Sequence, residues 1–338
     1  MKAALLGGGG YISTAVQQAL QAAGHTVTEL RRSPSAGAVC GDRYHAATLS
    51  SLADGRFDVI IDFLCYQPEH ARQLRAAFAG KTGKVIMIST GSVYWCTGRW
   101  QNPVGEDQFS PGPVSESAAT HLMPGSIEYD YGLGKRQAEE VLAAAQEAGE
   151  FKSVRLRFPV VGGPEDPTGR YAGYVARLGD GDPLLIPDGG FNTFRHVYVK
   201  DAAAAVLAAA EHPGPGQGWN IASRESFSVR DLVREMAICM GRPEPVVVGP
   251  PRAWLAGNGS PDLFAPFSAI RDQVLDIRSA QADLGFKPTP WSRWLAATVS
   301  SMKDLPRPRR RVQELETVRL FERTLGGAPA YLEAGEVS

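Results

Sequence analysis

What the chain lacks is informative. It has four cysteines, Cys40, Cys65, Cys96 and Cys239, scattered and without a C-x-x-C pair. That excludes a disulfide framework and a clustered zinc site, and points to free thiols in a reducing compartment. Net charge is nearly absent: 35 Lys and Arg against 36 Asp and Glu leave −1. Such a chain has no overall field with which to gather nucleic acid or an anionic membrane. No apolar run reaches bilayer length. The apolar start, Met1 to Leu6, runs into four glycines instead of a small-residue cleavage site, so it reads as a strand and not as a targeting segment. No self-similarity appears at a solenoid period. These absences lead us to expect a cytoplasmic globular chain without bound metal, its 338 residues enough for one large domain or two modest ones.

What is present is an alternation of strand and helix patterns. Ala3–Leu6, Thr26–Leu30, Val59–Leu64, Lys84–Ile88 and Val154–Phe158 are short apolar runs of the kind that form buried parallel strands. Between them lie a helical stripe (Ile12, Ala15, Val16, Ala19, Leu20, Ala23) closed by Gly24, a helix over 67–78, and a long one from Tyr131 to Ala148 closed by Gly149. The pattern predicts an α/β fold: a Rossmann-type, doubly wound parallel sheet over residues 1–160, completed by later segments near 193–221. Residues 161–338 are richer in Pro and Gly loops and predict a smaller C-terminal α/β lobe with terminal helices. Short strands are expected near Thr193–Val197 and Val246–Val248, and helices over 201–211, 229–240, 291–302 and 312–325. The basic stretch Pro306–Arg311 is short and lacks interleaved aromatics, so it reads as a solvated linker and not as a nucleic-acid patch.

Gly7-Gly-Gly-Gly10-Tyr11-Ile12-Ser13 follows the first strand and opens a helix. Glycines there permit a sharp turn and close backbone approach to a pyrophosphate, and the helix N-terminus offers N–H groups to that anion. Ser13 stands where a third glycine would pack helix on strand, and a slightly shifted helix is expected. The second strand lacks a closing acid to grip a ribose 2′-hydroxyl. Arg31, Arg32 and Ser33 follow Leu30, and guanidinium groups there suit a 2′-phosphate, favouring NADP over NAD. Glu29 is one position early, on a face expected to point elsewhere.

Tyr131-Gly-Leu-Gly-Lys135 puts a phenol and an ammonium on one helix face. A neighbouring cation would lower the tyrosine's pKa from about 10 toward the range useful for acid–base work. Tyr and Lys at this spacing recur by chance, so two further features matter. Gly132 and Gly134 interrupt an otherwise strong helix, which suggests a close approach. Ile88-Ser-Thr90-Gly-Ser92-Val-Tyr94 ends a strand at the sheet's carboxyl edge, where ligands bind. There the Thr90 hydroxyl can meet a reacting oxygen.

Together these segments resemble the extended short-chain dehydrogenase/reductase superfamily, the NAD-dependent epimerase/dehydratase group. Further landmarks are Gly41-Asp42, Phe57–Asp62, Arg157–Pro164, His196–Asp201 and Asp283–Pro288. The resemblance implies Tyr131 as acid/base, Lys135 as its partner and Thr90 in the hydroxyl position. It implies Gly7, Gly10, Tyr11 and Ile12 along the pyrophosphate, Asp42 at the adenine, Leu64 and Cys65 beside the cofactor, and Val161 near the nicotinamide. Weaker substrate candidates are Ser92, Tyr94, Arg170, Tyr171, Tyr174 and His196. Gly91 and Ser92 follow Thr90 where 4,6-dehydratases of the group carry Asp-Glu, so dehydration is not expected. The arginine expected for a diphosphate is shifted to Arg195, and Trp95 and Trp100 signal either an aromatic pocket or plain packing. The expected activity is hydride transfer between nicotinamide and a secondary alcohol or ketone of a sugar nucleotide or related small polar metabolite, as an epimerase or as a ketoreductase. The alternative is a catalytically silent NAD(P)-binding regulatory or RNA-associated relative. The resemblance further implies a homodimer, while the even charge balance argues against a nucleic-acid or membrane partner.

Overall fold

The computed structural model of the protein describes residues 1–114, 127–258, 265–302 and 311–325. In chain order the first half runs β1 (Lys2–Leu6), α1 (Tyr11–Ala22), β2 (Thr26–Arg31), β3 (Val39–Cys40), α2 (Ala46–Ala53), β4 (Val59–Asp62), α3 (Pro68–Phe78), β5 (Lys84–Thr90), α4 (Ser92–Trp95), α5 (Ile127–Glu147) and β6 (Lys152–Phe158). Then come β7 (Val160–Gly162), α6 (Arg170–Leu178), β8 (Leu184–Leu185), β9 (Thr193–Phe194), β10 (His196–Tyr198), α7 (Val199–Glu211), β11 (Gly218–Asn220) and β12 (Phe227–Ser228). The chain continues with α8 (Val229–Cys239), β13 (Val247–Val248), α9 (Arg252–Asn258), α10 (Arg278–Leu284), α11 (Trp291–Ser301) and α12 (Arg311–Thr324). The chain forms two units. The first gathers Met1–Val161, His196–Arg224 and Leu275–Pro288; the second gathers Gly162–Arg195, Glu225–Val274 and Thr289–Ser338. Leu275–Pro288, expected in the C-terminal lobe, thus clusters with the sheet.

The first unit is built on a seven-stranded sheet in the order β11-β6-β5-β4-β1-β2-β3. Every pairing in it is parallel. The strand order reverses between β1 and β4, which is the crevice where doubly wound sheets bind ligands. The loops after β1, β4 and β5 therefore meet at one edge. β5 is buried at every position, because helices cover both faces. On one face Ala71, Leu74 and Phe78 of α3 pack with Ala138, Leu142 and Ala145 of α5. On the other, Val16 and Leu20 of α1 pack with Ala202, Val206 and Ala209 of α7. Trp95 and Trp100 belong to the same core as α1 and α7, their rings 4.9 Å apart, so both tryptophans are packing residues.

In the second unit Tyr171 is wholly buried, its ring 5.2 Å from Phe267 and 6.1 Å from Trp294. A side chain at Gly162 would stand 2.6 Å from its phenol oxygen. Tyr174 is equally buried and donates to the Pro266 carbonyl at 2.7 Å. Both tyrosines, expected as substrate contacts, are core. Arg311, expected in a solvated linker, is 1 % exposed and paired with Asp180 and Glu314 at 2.8 and 2.7 Å. The rest of that basic stretch, 306–310, lies outside the described residues, as do 115–126 and 259–264 of the loops expected to select substrate.

Candidate cofactor and catalytic site

The glycine turn sits at the switch point. Gly7 and Gly9 have φ of +99° and +77°, conformations that side chains resist. The turn is tied to β2: the Gly7 and Gly8 amides donate to the Leu30 carbonyl at 3.1 and 3.0 Å, and Gly9 N donates to Glu29 Oε1 at 3.2 Å. Glu29, expected to point elsewhere, is therefore buried beneath the turn. Its place on the strand gave no sign of this, because the partner amide is twenty residues away. Ser13 acts as a cap: its hydroxyl accepts from Gly10 N at 2.8 Å and donates to the Gly10 carbonyl at 3.1 Å. The missing third glycine is thus replaced by a fixed start to α1, whose first turn, from Tyr11 and Ile12, sets its N–H groups and dipole at the edge.

Arg31 folds back over this turn. A side chain at Gly9 would meet its guanidinium at 2.3 Å. Arg31 lies 3.7 Å from Glu29, and its Nε is buried with no hydrogen-bond partner among the described residues. A cation held against a glycine turn and a helix N-terminus suits a phosphate group. These residues therefore fit a dinucleotide's phosphates. Arg32 is exposed.

The loop after β3 is anchored by a buried ion pair. Arg43 donates through Nε and a terminal nitrogen to Asp62 Oδ2 at 3.0 and 2.5 Å, and also to the His70 carbonyl at 2.8 Å. Asp62 Oδ1 accepts from Leu64 N at 2.9 Å and ends β4 there, two residues before the expected end. Asp42 turns its carboxylate to Tyr44 N at 2.9 Å. Leu64 packs on Gly7, where an added Cβ would come within 2.7 Å of its side chain. Cys65 differs from expectation: it is wholly buried in the core with Ala138 and Leu142, and burial pushes its thiol up to about 12. What it can offer a ligand is backbone. Val161 lies on β7, partly buried against the core.

Thr90 closes β5. Its hydroxyl accepts from Ser92 N and donates to Ser92 Oγ, both at 3.2 Å, and it lies close enough to the Tyr131 phenol to lower that group's pKa. α5 begins at Ile127, so Tyr131 sits a turn inside the helix and not at its start. The expected acidification of Tyr131 is absent: desolvation pushes its phenol up to about 12, against a smaller lowering by Thr90. The reason is where Lys135 goes. Its ammonium donates to the Ile88 carbonyl at 2.6 Å and rests 4.5 Å from the Tyr66 ring centroid, against 6.0 Å for Tyr131. Burial lowers Lys135 itself to about 8. The two glycines flanking Leu133 answer to protein, not ligand. An added Cβ at Gly132 would be 2.5 Å from the Ser92 carbonyl, and one at Gly134 2.6 Å from the Tyr66 carbonyl.

Beneath the site runs a buried polar network that the sequence did not announce. Arg157 on β6 donates to Glu139 on α5 at 2.6 Å and to the Tyr94 hydroxyl at 2.6 Å. Ser89 donates to Glu139 at 2.5 Å, and Tyr94 to Asn220 at 2.9 Å. Tyr94, expected near substrate, is 2 % exposed, its hydroxyl committed to this network. His196 is likewise buried at 1 %. Arg170, in the second unit, lays its guanidinium 5.1 Å from the Phe267 ring and donates to Thr168 at 3.1 Å.

Residues 69–222 match the model of the NAD dependent epimerase/dehydratase family. A UDP-N-acetyl-alpha-D-glucosaminuronate decarboxylase of Bacillus cytotoxicus is 29% identical over 167 residues, 48% of each chain. A dTDP-L-rhamnose 4-epimerase of Burkholderia thailandensis is 31% identical over 185 residues, 53% of this chain and 46% of that protein. The matched segment spans about half the length of these curated relatives. The fold is that of a UDP-glucuronic acid 4-epimerase from Bacillus cereus, solved in complex with NAD: TM-score 0.68, 22% identity, 90% of this chain and 97% of that one. That family's pattern thus runs from α3 past β11, on a sheet wound as in the solved epimerase.

Proposed function

We propose that the chain binds a nicotinamide dinucleotide at the glycine turn and moves a hydride between it and a secondary alcohol or ketone of a sugar nucleotide, most simply as an epimerase. The observation that carries this is the meeting of Thr90 and Tyr131 at the carboxyl edge, with Lys135 buried one helical turn on. A bound nicotinamide supplies the hydride acceptor and donor. The chain supplies the proton and the alignment. Tyr131, protonated at neutral pH, gives its proton to a carbonyl oxygen when the ketone is reduced, and Thr90 orients the phenol. In the oxidative direction the Tyr131 phenolate takes that proton back, and a charged Lys135 helps to hold the phenolate until it does.

The activities of the relatives support UDP- and dTDP-linked hexoses as substrates. Gly91 and Ser92 after Thr90 leave no Asp-Glu pair for water elimination, so 4,6-dehydration is not proposed. Arg31 and Arg32 support a preference for NADP, whereas solved relatives in complex with NAD support the opposite choice. Replacing both arginines with Ala decides it: a larger loss of NADP than of NAD affinity supports the phosphate role, and equal losses refute it. We further propose a cytoplasmic homodimer that pairs through α5. Among the described residues no helix is long and apolar enough to cross a membrane.

The test is a panel of UDP- and dTDP-hexoses with either dinucleotide. Inversion of the sugar with cofactor retained supports epimerisation. Stoichiometric cofactor consumption supports ketone reduction instead. A protein that binds neither dinucleotide would refute the proposal.

A further inference from the structure

Tyr66 lies in the loop between β4 and α3, and no part of the proposed chemistry uses it. Its ring centroid is 4.5 Å from the Lys135 ammonium and 6.1 Å from the Tyr131 ring. We propose that Tyr66 is a positioning residue: its aromatic face holds the buried Lys135 ammonium between itself and Tyr131 at the active edge. This deepens the function proposed above and rests on it for the role of Lys135.

The geometry is built from backbone outward. Tyr66 N donates to His70 Nδ1 at 3.2 Å, and the preceding turn is fixed by Asp62 accepting from Leu64 N at 2.9 Å. The Tyr66 carbonyl then lies where only a glycine at 134 leaves room, 2.6 Å from an added Cβ. Gly134 thus lets the Tyr66 loop close over the next residue of α5, Lys135. Lys135 is 2 % exposed, and the hydrogen-bond partner of its ammonium among the described residues is the Ile88 carbonyl.

The other groups around Lys135 do little to hold it. Asp62 faces it from the end of β4, Cys65 from the loop that follows, Arg43 from the β3–α2 loop, His70 from α3 and Glu139 from its own helix. Asp62 is neutralised by Arg43 at 2.5 Å and Glu139 by Arg157 at 2.6 Å. Cys65 is a buried, protonated thiol. A cation in so dry a place gains most from an aromatic face, because the ring's negative quadrupole replaces part of the lost hydration without adding a charge. The ring keeps Lys135 charged and keeps it from swinging out of register with Tyr131.

The experiment is an NMR titration of the full chain labelled with ¹³C at lysine Cε. The Lys135 signal is identified by its loss in Lys135→Arg. Wild type, Tyr66→Phe and Tyr66→Leu are compared, with NAD⁺ and NADP⁺ binding measured in parallel. Tyr66→Phe keeps the ring and should titrate with wild type. Tyr66→Leu should lower the Lys135 midpoint by about one pH unit and weaken dinucleotide binding roughly tenfold near neutral pH. Should Tyr66→Leu unfold, Tyr66→Met fills similar space without a ring and carries the same expectation. The proposal is overturned if the ring-less variant titrates with wild type, or if Tyr66→Phe shifts as far as Tyr66→Leu. A wild type that binds neither dinucleotide overturns the proposed function instead, and the lysine titration still decides the contact.

Discussion

At the scale of the residue, each member of the site is set by what surrounds it. Tyr131 is 37 % exposed, yet desolvation holds its phenol up at about 12, so it meets a ligand as an acid. Tyr131→Phe removes that proton and should lower turnover roughly 10²- to 10⁴-fold with dinucleotide affinity nearly unchanged. Steady-state rates beside calorimetric binding check this, and a variant that keeps its rate would refute the assignment. Lys135 is strained in the other direction. Burial lowers it to about 8 from 10.5, so at neutral pH the fold carries a charge it disfavours. Lys135→Met should therefore stabilise the protein by about 2 kcal/mol at pH 7 once the lost bond to Ile88 is taken off, while turnover disappears. Urea unfolding reads the stability, and a destabilised Lys135→Met would contradict it.

At the scale of the element, much of the fold was legible and much of the site was not. The parallel strands were visible because burial on both faces makes them continuous apolar runs, and α1 and α5 because their stripes are long. Short helices such as α2 and α4 gave no such signal, having too few turns to show a period. Thr90, Tyr131 and Lys135 were singled out by spacing and strand-end position. Glu29, Asp62, Tyr66 and Glu139 were not, because their partners Gly9, Arg43, Lys135 and Arg157 are distant in sequence or, for β2, on an unexpected face. Tyr94 and Tyr171 carried the opposite error, since an aromatic's burial depends on packing that no local pattern reveals. Gly132→Ala adds helix propensity of about 1 kcal/mol, yet it drives a methyl against the Ser92 carbonyl, so a net loss of about 1–3 kcal/mol is expected by urea unfolding. Glu139→Gln strands the Arg157 charge beneath Ser89 and should cost about 3–5 kcal/mol. Neutral outcomes would show that α5 can shift away from β5 at little cost.

At the scale of the molecule, buried titratable groups shape the response to pH. Lys84 and Lys135 sit at about 8 in the folded chain against 10.5, so the unfolded chain binds more protons above pH 8 and stability rises. Cys65 and Cys96 are raised from 9 to about 12 and about 11, and Tyr94 from 10 to about 12, so the folded chain binds more protons above pH 9 to 10 and stability falls. Unfolding free energy should therefore rise from pH 8, level near 9 and decline above 10. A steady fall from pH 8 would contradict these assignments. The proposed chemistry is hydride transfer at one edge of one sheet. Its most direct test is stopped-flow absorbance of reduced nicotinamide when UDP- or dTDP-hexoses meet the dinucleotide-loaded protein. Wild type should show the reduced cofactor form with at least one sugar, and Tyr131→Phe should bind the same dinucleotide and show none. Equal signals from both proteins, or a wild type that never alters its nicotinamide, would contradict it.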